Sequence, residues 1–161
     1  MKLRYLAVAA LVGALSVVLV TAAIGAKKSP PPKKGKTFFA VLLGKKEVDS
    51  TGKKRAGDPD GRGGATVVID GNQFCFGIVV KNLDQPVAAH VHKGRPSVAG
   101  GIVIPLDPPS SGDPGDSSNC VTVDPTLLAA IKRNPHKYYF NVHTGPFPDG
   151  AIRGQLFGKR N

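Results

Sequence analysis

From Thr37 onward the chain is cut into short runs of β-branched, aliphatic and aromatic residues by glycine, proline and Asx turn signals, and this punctuation excludes any long helix. Eight runs read as strands: Thr37–Leu43, Ala65–Asp70, Gln73–Val80, Pro86–His92, Gly101–Leu106, Asn119–Val123, Lys137–His143 and Ala151–Phe157. Gly71-Asn72, a pair suited to positive φ, joins the second and third as a hairpin. Asp107–Ser118 holds three Pro, four Ser, two Gly and three Asp, and reads as a loop without regular structure. One short helix is expected where Asp124 offers an N-cap, Pro125 suits the first helical position, and Leu127, Leu128 and Ile131 form an apolar stripe before Asn134-Pro135. No internal repeat is visible. The expected class is all-β, a single antiparallel β-sandwich with one short helix.

The N-terminus adds an address. Lys2 and Arg4 precede an uncharged stretch from Leu6 to Ala26, the order of a secretory signal. The stretch also reaches the ~20 residues that span a bilayer, so residues 1–26 read as a signal peptide or an N-terminal anchor, with membrane contact only through residues 6–26 if uncleaved. A Pro- and Lys-rich linker, residues 27–36, follows, and the β domain occupies residues 37–158.

Of the 22 Lys and Arg, 10 lie between Lys27 and Arg55, against Glu47 and Asp49 alone. The positive charge is therefore a property of the arm and first loop. Such an arm can contact an anionic envelope surface or simply be solvated. Nucleic acid is not an expected partner, because the arm lacks aromatic residues to stack bases. Cys75 and Cys120 are the only cysteines. In an oxidising compartment they form one intramolecular disulfide; the alternative is two buried thiols.

Three of the four histidines fall in a pattern. His90 and His92 flank Val91 in a strand, so the period of two points both to one face, with Cα atoms ~6.5–7 Å apart. His143 closes the Tyr139-Asn141-His143 face of a later strand and can supply a third nitrogen if the two strands face each other across the sandwich edge. Imidazole suits copper or zinc, and three ligands with an open position is a reactive arrangement. The alternative is strand histidines in ordinary hydrogen bonds. His136, beside Pro135, is expected on the surface. No Gly-x-Ser-x-Gly elbow is present, so the common hydrolase nucleophile is missing. Arg153, on the strand after His143, either places positive charge near the histidines or is a strand-face arginine.

Gln73-Phe-Cys-Phe-Gly-Ile-Val-Val80, Ala88-Ala-His-Val-His-Lys-Gly94, Asn119-Cys-Val-Thr-Val123, Tyr138-Tyr-Phe-Asn-Val-His-Thr144 and Gly150-Ala-Ile-Arg-Gly-Gln-Leu156 together resemble the CHRD domain, named after chordin and found in exported bacterial proteins. The resemblance spans roughly Phe38 to Phe157 and implies the Cys75–Cys120 disulfide. The loop Lys45 to Arg62 is longer and more basic than the family pattern, so no function is carried over to it. A more distant likeness is to the copper/zinc superoxide dismutase β-sandwich, which implies a Greek-key arrangement, His90, His92 and His143 as copper ligands and Arg153 as an anion guide. Its zinc and bridging ligands have no counterparts here.

Three functions are thus in play: an extracytoplasmic module holding one copper or zinc ion, a copper-only dismutase, and a structural or adhesive envelope protein without metal. No catalytic residue is assigned. Export places the chain as secreted, periplasmic or at the cell surface.

Overall fold

In a computed structural model, which describes residues 35–158, the first, second, third and fifth strands bury alternate side chains as a half-buried ladder requires. The strands are β1 (Lys36–Leu43), β2 (Arg62–Asp70), β3 (Gln73–Lys81), β4 (Pro86–Lys93), β5 (Gly101–Leu106), β6 (Gly115–Thr122), β7 (Tyr138–Thr144) and β8 (Ile152–Gln155), with α1 (Pro125–Arg133) between β6 and β7. The expected export segment, and the linker as far as residue 34, lie outside the described residues.

All eight strands belong to one antiparallel sheet in the order β5-β4-β7-β8-β1-β2-β3-β6. The chain is therefore all-β as expected, but in place of two separate layers it forms one sheet curled until its edges nearly meet. Asp107, just after β5, stitches the seam to β6: Asn119 Nδ2 donates to Asp107 Oδ2 at 2.8 Å, and Ser117 Oγ donates to the Asp107 carbonyl at 2.9 Å.

Inside lie Phe38, Leu42, Val67, Ile69, Phe74, Ile78, Val91, Phe140, Val142 and Ile152. Helix α1 closes the core with Leu128 and Ile131, its first turn held by Asp124, whose carboxylate accepts from the Thr126 and Leu127 amides. In the β2–β3 turn only Gly71 takes positive φ, at 55°.

One segment departs from expectation. Gly115–Ser118, read as loop, is the first half of β6, paired through Gly115↔Val80 to Ser118↔Gly77. Its Gly, Asp and Ser residues look unlike a strand because β6 is hydrogen-bonded on one side only and mostly exposed, the situation in which polar residues protect an edge. The same register sets Cys75 opposite Cys120, and the two are joined in a disulfide between β3 and β6.

Candidate metal centre

The face of β4, β7 and β8 turned away from the core is polar. Register places Ala88 opposite His143, His90 opposite Asn141 and His92 opposite Tyr139, while Asn141 and Tyr139 stand opposite Arg153 and Gln155 on β8. Cross-strand partners share a face. The strands carrying the histidines are thus direct neighbours in one sheet rather than partners across a sandwich edge.

One ring nitrogen from each of His90, His92 and His143 lies within 4.8 Å of the others, a set that could hold a metal ion. His90 Nδ1 stands 3.1 Å from His143 Nε2. Backbone carbonyls orient the other two rings: His92 Nδ1 is 2.8 Å from Gly100 O, and His143 Nδ1 is 2.9 Å from Pro148 O. An imidazole that donates from Nδ1 keeps its lone pair on Nε2, the tautomer-fixing outer contact usual for metal-bound histidines. His92 Nε2 is buried and has no partner among the described residues. Donors sharing one ion at ~2.0–2.1 Å stand ~3–4 Å apart, so the set can hold an ion after sub-ångström ring movement. Burial, reinforced by His143 and His92, pushes the His90 imidazole down to about 4. Burial also holds His92 below its ordinary value, outweighing the opposing effect of the Gly100 carbonyl. Both shifts favour the neutral imidazole, the form a ligand must take.

Gly100 has two tasks. Its carbonyl faces His92, and its N–H donates to Tyr139 Oη at 3.0 Å. No side chain fits there: a Cβ on Gly100 would fall 1.9 Å from the Lys93 carbonyl oxygen. Tyr139 stacks on His92 with ring centroids 4.9 Å apart and planes within 11°, and carries the Arg153 guanidinium carbon 3.4 Å from its centroid. Since β4 and β8 flank β7 on opposite sides, the Tyr139 ring stands between Arg153 and His92.

The long basic loop between β1 and β2 folds over this face. Its Glu47, 1% exposed, accepts from Asn141 Nδ2 at 3.0 Å and from the Val48 amide at 3.0 Å. Burial pushes the Glu47 carboxyl up to about 7, against the pull of the Val48 N–H, Arg153 and Asn141. The loop is pinned by Asp58 N–H to the Ala151 carbonyl and by Ser50 to Asp149.

Sequence reasoning singled out the three histidines and Arg153, and named Tyr139 and Asn141 only as neighbours of His143. It missed Glu47 and Gly100. The one available signal for Glu47 was an acid isolated in a basic stretch; for Gly100, none preceded knowledge of the close approach. His136 is exposed, as expected.

No curated protein and no solved structure matches the chain. The model of the CHRD domain matches residues 38–156, a span that takes in the disulfide, all three histidines and the strands that carry them. The chain belongs to the CHRD domain family.

Proposed function

We propose that this CHRD domain is an extracytoplasmic binding module that holds one copper ion, with zinc as the alternative, through His90 Nδ1, His92 Nε2 and His143 Nε2. The observation that carries the reading is the buried, unpartnered Nε2 of His92 beside two imidazole nitrogens, with carbonyls fixing the tautomers of His92 and His143. A buried polar nitrogen without a partner costs ~1–3 kcal/mol, which coordination removes. Three neutral nitrogens with no carboxylate favour borderline-soft ions over calcium or magnesium.

The disulfide, and the uncharged stretch from Leu6 to Ala26 behind Lys2 and Arg4, support an address outside the cytoplasm. Binding is favoured over dismutase chemistry by the position of Arg153, which the Tyr139 ring separates from His92.

The test is copper loading of protein purified without an affinity tag. One ion per chain is expected, with a rise in melting temperature, since a ligand at 100 times its Kd stabilises the folded state by ~2.7 kcal/mol. Equal uptake by a His90→Ala/His92→Ala double variant removes the proposal.

A further inference from the structure

On the far side of Tyr139 from the histidines lies a cavity of about 620 Å³, and none of the three histidines lines it. Five cationic side chains surround it, Lys45, Lys46, Lys54, Arg55 and Arg153, against the single carboxylate of Glu47. That carboxylate is already committed to the Val48 amide and Asn141. Arg153 is 1% exposed. Its Nη2 is anchored to the Arg95 carbonyl at 2.9 Å and to Gln155 Oε1 at 3.2 Å, and its guanidinium rests on Tyr139. Nη1 is buried and has no partner among the described residues. A guanidinium held rigidly with an unused N–H is a preorganised receptor for an oxyanion. Beside Ser97, His136 and Gln155, the remaining wall carries an apolar strip of Val41, Val48, Leu156 and Phe157, and Val41 and Phe157 are 48% and 50% exposed. The volume is in the range of small-molecule sites, ~300–1,000 Å³.

We propose that this cavity binds a small anionic amphiphile, a carboxylate or phosphate head on a short apolar body, with the head on Arg153 and the body along Val41, Leu156 and Phe157. Lys54 and Arg55, both exposed at the rim, draw the anion in.

Octanoate, octyl phosphate, octanol and inorganic phosphate are titrated separately into the isotope-labelled chain with its disulfide closed, following the amides of Ser97, Gln155 and Leu156 by NMR. Saturable shifts with octanoate or octyl phosphate are expected, the preferred one identifying the head group, with octanol and inorganic phosphate at least ten-fold weaker. Arg153→Lys, which keeps the charge but loses the fork, and the rim variant Lys54→Glu/Arg55→Glu should each weaken binding at least ten-fold. The rim variant replaces only exposed residues and keeps the test valid if Arg153→Lys does not fold. Octanol binding as tightly as octanoate, inorganic phosphate binding as tightly as octyl phosphate, or affinity unchanged in the rim variant would each overturn the proposal, as would absence of saturable shifts.

Discussion

Replacing Glu47 by glutamine keeps the side chain's shape and removes its ionisation. The carboxyl stands at about 7 in the folded chain against an ordinary 4.5. That gap of about 2.5, at ~1.4 kcal/mol for each pH unit, comes to roughly 3 kcal/mol. The sign follows from proton binding: between these values the folded state holds a proton that the unfolded state has lost. Stability contributed by Glu47 is therefore complete below about 4.5 and lost as pH rises through about 7. Glutamine can be received, because Asn141 Oδ1 is buried without a partner and an Asn141 amide flip offers it to the new Nε2.

The assay is urea unfolding of both proteins with a chelator present, from about pH 4 to about pH 8. His90, whose depressed value works in the opposite direction, is common to both and cancels in the difference. The stability of the wild type minus that of the variant should fall by roughly 3 kcal/mol across this range. A flat difference would falsify the claim that Glu47 is held in a desolvated site.

Gly100→Ala drives a methyl group into the Lys93 carbonyl and displaces the peptide that orients His92 and Tyr139. The variant should fold and bind copper ~10–100-fold more weakly, the usual cost of losing an outer contact; competition against a chromogenic chelator reads this, and unchanged affinity counts against the orienting role. Removing the disulfide with Cys75→Ala/Cys120→Ala frees a loop closed over a separation of 45 residues. Chain entropy sets the loss at roughly 4 kcal/mol; a shift in urea midpoint equivalent to less than about 1 kcal/mol would show that the folded barrel alone restricts this segment.

The strands most legible in the sequence were those whose inner face is apolar. In β1, Phe38, Ala40 and Leu42 alternate with exposed Phe39 and Val41, and the period of two declares itself. In β6 it does not, because an edge strand answers to one neighbour and to solvent, so Gly115–Ser118 carries turn-like residues in a ladder. The histidines were visible because His-x-His fixes a common face without knowledge of topology. Their neighbours needed register: only the pairing of β4 with β7 brings His143 beside His90 and His92. Glu47 and Gly100 reach the site from loops, where neither period nor propensity constrains position.

The chemistry-bearing side chains sit on the outside of the sheet beneath folded-over loops, while the inside answers to packing alone. This division separates two kinds of mutational tolerance. Core substitutions are judged by volume, whatever the site binds; changes of charge at the exposed positions of the segment between β1 and β2, such as Lys53, Lys54 and Arg55, alter the covering without replacing a core residue. For an engineer, the barrel is a chassis and the exposed part of the 44–61 segment an adjustable cover, through which ligand preference can be altered while Glu47 and the strand ladder that aligns the imidazoles are left alone.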